Sequence, residues 1–109
     1  MAYEVKLMIN GKEETFKRTE EPYLIDQTRA LILQQHQIKT FGADIISDKA
    51  LMDNTNDLAD FASKFFRGQF TAKDYINGAN SKTIKTMNNV LSECLGSDDT
   101  DENDKEAKK

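Results

Sequence analysis

The stretch Tyr3-Glu4-Val5-Lys6-Leu7-Met8-Ile9-Asn10-Gly11-Lys12 decides how this chain begins to fold. Tyr3, Val5, Leu7 and Ile9 alternate with Glu4, Lys6 and Met8, the period of two that buries one face of a strand. Asn10 and Gly11 both tolerate positive φ, which the tight turn of a two-residue hairpin requires. Lys12 to Arg18, with Thr15 and Phe16, supplies the returning strand. The reading is a β-hairpin over 3–18. Two strands alone are marginal in water, so the Tyr3/Val5/Leu7/Ile9 face must lie on something apolar. Only helices downstream offer that.

From Glu21-Pro22 to about Lys39 the chain reads as an amphipathic helix, with Pro tolerated in the first turn. Leu24, Thr28, Leu31, Gln35 and Ile38 return at helical spacing, flanked by Ile25 and Ile32. Phe41-Gly42 breaks the pattern, and Ile45-Ile46 reads either as a short strand or as a buried connector. Ser47 then caps a helix over 47–67 whose stripe is Leu51, Thr55, Leu58, Ala62 and Phe65, widened by Met52, Ala59 and Phe66. Gly68 ends it. Thr71 and Asp74 form a capping pair for a short helix over 72–77, closed by Gly78. Asn80 or Ser81 caps the last helix, 81–95, with Ile84, Met87, Leu91, Cys94 and Leu95 on one face and Val90 at its edge.

Beyond Gly96 nothing apolar remains but Ala107, so residues 97–109 cannot offset their ordering entropy and are expected to be disordered. This tail holds Asp98, Asp99, Asp101, Glu102, Asp104 and Glu106 against Lys105, Lys108 and Lys109. It carries most of the net charge of −4, and residues 1–96 are left nearly neutral. A neutral body with an acidic tail has no basic face for phosphates, so nucleic acid is not an expected partner. No run approaches the ~20 apolar residues of a membrane span, and Met-Ala-Tyr-Glu-Val-Lys lacks the order of a secretion signal. With Cys94 the sole cysteine, no internal disulfide is available and a reducing cytoplasm suits the chain. At 109 residues, one folded domain over 1–96 is expected.

Residues that carry chemistry are sparse. His36 is the only histidine and sits among glutamines, without a cysteine or carboxylate at metal-ligand spacing in the sequence. Cys94 lies on an apolar stripe, where a thiol acts as a small hydrophobe. Asp53, Asp57 and Asp60 recur about one turn apart and read as a solvated face. The run Asp53-Asn54-Thr55-Asn56-Asp57 is no calcium loop, because Leu58 and Lys64 stand where the turn glycine and the bidentate Glu belong. No phosphate loop, nucleophile elbow, Cys-x-x-Cys or His-Glu-x-x-His occurs. No enzyme, metal or cofactor is expected. What remains is aromatic: Phe61, Phe65, Phe66 and Phe70 concentrate near a helix end, more than a small core obviously needs, and are expected to contribute a partner surface.

The order of hairpin, helices, then Gly68-Gln69-Phe70-Thr71-x-x-Asp74-x-x-x-Gly78, an amphipathic helix and a charged tail resembles the tail assembly chaperones of long-tailed phages of Gram-positive hosts. The resemblance covers nearly all of the folded part, and the hairpin around Asn10-Gly11 supports it. It implies a non-catalytic protein of the infected host's cytoplasm, absent from the finished virion. It also implies three partners: the tape measure protein, kept soluble through its helical apolar surface; the major tail protein; and a longer frameshifted form of the chain itself. Lateral contacts along a long client imply self-association as well.

The expectation is an α+β, mainly helical domain, with an N-terminal hairpin on three or four helices and a disordered acidic tail, acting as a tail assembly chaperone. The alternative from another class is a small acidic regulator or inhibitor whose tail occupies a basic surface of a host protein.

Overall fold

The computed structural model describes residues 3–96. Strands β1 (Tyr3–Ile9) and β2 (Lys12–Arg18) form an antiparallel hairpin, followed by helices α1 (Leu24–Phe41), α2 (Asp48–Phe65), α3 (Ala72–Gly78) and α4 (Ser81–Cys94). The α+β, mainly helical fold is the one expected. Asn10 and Gly11 take φ of 53° and 79° at the turn, and the register runs from Ile9↔Lys12 to Tyr3↔Arg18. The expectation for the acidic tail lies outside the described residues.

Local chemistry sets the helix ends. The Ser47 hydroxyl accepts from the Ala50 amide at 3.0 Å, starting α2. At α3, Thr71 Oγ1 accepts from the Asp74 amide at 3.1 Å while Asp74 accepts from the Thr71 amide at 3.0 Å, the reciprocal capping box. Asn80, rather than Ser81, caps α4, taking the amides of Lys82 and Thr83. Helix α1 starts at Leu24, later than Pro22, where the Tyr23 amide donates to Asp26 at 2.8 Å. Ile45-Ile46 is neither strand nor buried connector. It belongs to the bend between α1 and α2, with Ile45 87% exposed.

The hairpin lays Tyr3, Val5 and Leu7 inward, with α3 and α4 packed on β1 and α2 packed on α1 and α3. The aromatic residues form one ladder through this core. Tyr3 meets Phe65 edge-on at 5.2 Å between centroids, Phe65 meets Phe66 at 5.3 Å, and Phe66 meets Phe70 at 5.7 Å. Phe61 stacks on Phe65 at 6.0 Å, and Phe16 and Tyr75 lie against Phe70 at 5.0 and 6.2 Å. Phe61, Phe65, Phe66 and Phe70, expected at a partner surface, are only 4%, 1%, 0% and 3% exposed. The physical reason is the hairpin: its aliphatic face has to be covered, and these rings are what α2 and the 66–71 turn bring to it.

Gly78 is the last residue of α3, closing it as expected, and a Cβ there would also sit 2.5 Å from the Met8 carbonyl oxygen and 3.0 Å from its nitrogen. The glycine lets α3 approach the outer edge of β1. Gly78→Ala gains roughly 1 kcal/mol of helix propensity, but the obstacle is backbone and cannot rotate away. A net loss of about 1–3 kcal/mol is expected, read as a lower urea midpoint at unchanged slope.

Candidate protein-binding face

Helix α1 turns most of its larger aliphatic side chains away from the core. Its buried positions are Asp26, Ala30 and Leu33. At 100° per residue these lie opposite Leu24, Leu31 and Ile38. Those three, with Ile25, Ile32 and Phe41, are between 47% and 76% exposed. The stripe read from the sequence is therefore real as a stripe, but it faces solvent. Ala30 and Leu33 seat the helix against its neighbours, and a buried ion pair between Arg18 and Asp26 at 2.8 Å holds its first turn. Leu24, Leu31 and Ile38, seven residues apart, span about 21 Å along the helix. Ile45 in the α1–α2 bend and Leu51 and Met52 on α2 are exposed as well.

The flanks of this face are polar and unevenly charged. Asp26, the sole carboxylate of α1, is buried, whereas Lys39 and His36 are exposed and Arg29 half-buried. Alongside, α1 and α2 enclose a cleft of about 180 Å³ lined by Arg29, Ile32, His36, Asp57, Asp60 and Lys64 among others. His36 Nδ1 lies 3.0 Å from Asp57 Oδ2, a pairing between residues too far apart in sequence for spacing to reveal. Asp53 and Asp60 are taken by Lys49 and Lys64 at 2.7 and 2.8 Å. The three carboxylates thus have separate partners, and no metal-holding cluster occurs among the described residues.

Cys94 is buried as its stripe implied, and desolvation pushes its thiol up to about 11, far from a reactive thiolate. The tail acids Asp98, Asp99, Asp101, Glu102 and Asp104 lie outside the described residues. No described helix is long and apolar enough to cross a membrane. The outer residues of α1 were the ones missed as a surface. The available signal was Ala30 and Leu33, apolar positions on the opposite side of the same helix, which give it two apolar sides where a small core needs one.

The small domain keeps most of its aromatics in the core and turns a row of aliphatic side chains outward, an arrangement suited to holding another protein. The sequence matches the phage tail chaperone protein family over residues 1–109, and the chain belongs to that family. Among curated proteins and among solved structures, nothing matches.

Proposed function

We propose that this chain is a tail assembly chaperone that binds the tape measure protein, keeps it soluble in the host cytoplasm and helps recruit the major tail protein. The observation that carries this reading is the outer face of α1, considered with the family. A tape measure rich in amphipathic helices needs its apolar stripes covered until tail subunits enclose them. A row of Leu24, Leu31 and Ile38 with Ile25 and Ile32 beside it suits side-by-side packing with such a helix. Because α1 exposes Lys39 and no carboxylate, client helices with acidic flanks are favoured. Each contact is small, and many copies along one client supply avidity. The tail acids Asp98, Asp99, Asp101, Glu102 and Asp104 keep the coated client soluble by charge repulsion. A longer frameshifted form shares the same binding face and serves as a further partner.

The test is co-expression with the tape measure protein of the same phage, comparing wild type with Leu31→Gln/Ile38→Gln. Exposed substitutions of this kind change stability by only about 0.5 kcal/mol each. The variant is therefore expected to stay folded while the soluble fraction of the client falls several-fold. A client equally soluble with both proteins removes the α1 face from the proposal. A client insoluble even with wild type removes the tape measure.

A further inference from the structure

Among the described residues the sheet has two strands, and its two outer edges are treated differently. Ile9 and Lys12 flank a two-residue turn, so this pair exchanges both ladder bonds. The inward backbone groups of β2 then belong to Lys12, Glu14, Phe16 and Arg18, and the outward groups to Glu13, Thr15 and Lys17. Two side-chain bonds fix the same phase: Gln69 Nε2 donates to the Lys17 carbonyl at 2.8 Å, and Thr83 Oγ1 donates to the Lys6 carbonyl at 2.9 Å. On the β1 side, Thr83 and the close approach of Gly78 to Met8 cover the edge. On the β2 side, Glu13 and Thr15 are exposed. Among the described residues, no hydrogen bond engages their outward amides or carbonyls.

The residues along that edge are complementary to their own reverse. Glu13 and Lys17 lie two positions either side of Thr15, and all three point their backbone groups outward. We propose that two copies of this chain pair antiparallel through β2, with Thr15 on the two-fold axis, giving a four-stranded sheet ordered β1-β2-β2-β1. In this register Thr15 faces the second copy's Thr15, and Glu13 faces the second copy's Lys17 in both directions. Opposite charges and Thr–Thr pairs are favoured cross-strand neighbours. A shift by two residues sets Glu13 or Lys17 against Thr15 and forfeits the charge match. A parallel arrangement in register sets Glu13 against Glu13. Lys17, 3.8 Å from Glu4 within its own hairpin, then lies between two carboxylates. Its carbonyl keeps a second lone pair beside the bond from Gln69. The contact is small, so pairing is weak in dilute solution and grows wherever copies are concentrated on one client. It stands independently of which client that is.

Sedimentation velocity over a range up to several hundred micromolar tests this, together with single-cysteine cross-linking. Cys94, the sole native cysteine, is 4% exposed, so an introduced thiol reacts alone. Across the two-fold, the Cα atoms of residue 15 lie about 5.5 Å apart, within disulfide reach, whereas those of residue 12 lie about 20 Å apart. Thr15→Cys is expected to form a disulfide dimer rapidly, and Lys12→Cys is not. Glu13→Lys and Lys17→Glu are each expected to raise the dimer dissociation constant by roughly fivefold or more. The double swap is expected to return it to near the wild-type value. A monomer throughout the range overturns the proposal, as does equal cross-linking at 12 and 15 or a double swap that restores nothing. A dimer indifferent to these charges but lost in Leu31→Gln places self-association on α1 instead, and equally overturns it.

Discussion

Arg18→Ala is expected to leave the protein close to unfolding at neutral pH. The side chain is 3% exposed and satisfies four oxygens from three segments. Nη2 donates to Asp26 Oδ2 and to the Glu21 carbonyl, each at 2.8 Å, Nη1 to the Phe65 carbonyl at 2.9 Å and Nε to the Glu20 carbonyl at 3.2 Å. The guanidinium also lies 4.3 Å from the Phe65 ring centroid. It ties the end of β2 to the linker, the start of α1 and the end of α2. Alanine removes all of this and strands Asp26 as a buried carboxylate held only by the Tyr23 amide. Breaking a buried pair from one side costs about 3–5 kcal/mol, against a total of about 5–10 kcal/mol for a domain of this size. Arg18→Lys is expected to recover little, because an ammonium lacks the planar fork that reaches several acceptors. Burial alone pushes the Asp26 carboxyl up, but the hydrogen bonds from Arg18 and the Tyr23 amide, with the Arg18 charge, outweigh it and hold it below its ordinary value of 3.8. A folded-state value below the unfolded one gives stability that is fully present above about pH 4 and lost as pH falls through the lower, folded value. Urea midpoints measured from pH 7 downward are therefore expected to drop below pH 4. Asp26→Asn should be less stable at pH 7 and lack that part of the acid dependence. An Arg18→Ala midpoint within about 1 kcal/mol of wild type contradicts the role given to this pair.

What the sequence made legible is what short stretches decide. The period of two and Asn10-Gly11 specify the hairpin whatever follows, and Thr71 with Asp74 specify a helix start within four residues. The α1 stripe was legible as a period, but not in its direction. A helix with Leu24, Leu31 and Ile38 on one side and Ala30 and Leu33 on the other can dock by either. The choice falls to Arg18 and Asp26, which meet only once β2 and α1 are adjacent. Bulk alone pointed the wrong way, since the small Ala30 is the residue that permits close packing. Gly78 illustrates the same limit: it ends α3 as a local reading says, while the need for glycine comes from Met8 far earlier in the chain. The His36–Asp57 contact depends on how α1 and α2 pair, which neither helix specifies by itself.

The phenylalanines are buried in the free chain where their local density suggested a partner surface, and Phe66→Ala separates the two meanings. Phe66 is 0% exposed and packs between Phe65 and Phe70. Truncating a buried phenylalanine costs about 3–5 kcal/mol, counting lost transfer energy and the cavity left behind. Loss of two edge-to-face or tilted ring contacts pushes the value toward the upper end. The expected result is a sharp fall in the urea midpoint and a mostly unfolded chain near 37 °C. Phe66→Leu should lose less than half as much, because it refills most of the volume. In a client-solubility assay both Phe66→Ala and Leu31→Gln/Ile38→Gln then lose function, for opposite reasons. The first loses it in proportion to its unfolded fraction and regains it on cooling toward the temperature of maximum stability. The second loses it while fully folded and at every temperature. If Phe66→Ala instead keeps its midpoint within about 1 kcal/mol of wild type and still abandons the client, the ring is making contact with the client and the burial seen in the free chain opens on binding. With these results, the two variants together assign the apolar groups of the chain, the buried aromatics to holding its own fold and the aliphatic row of α1 to holding a client.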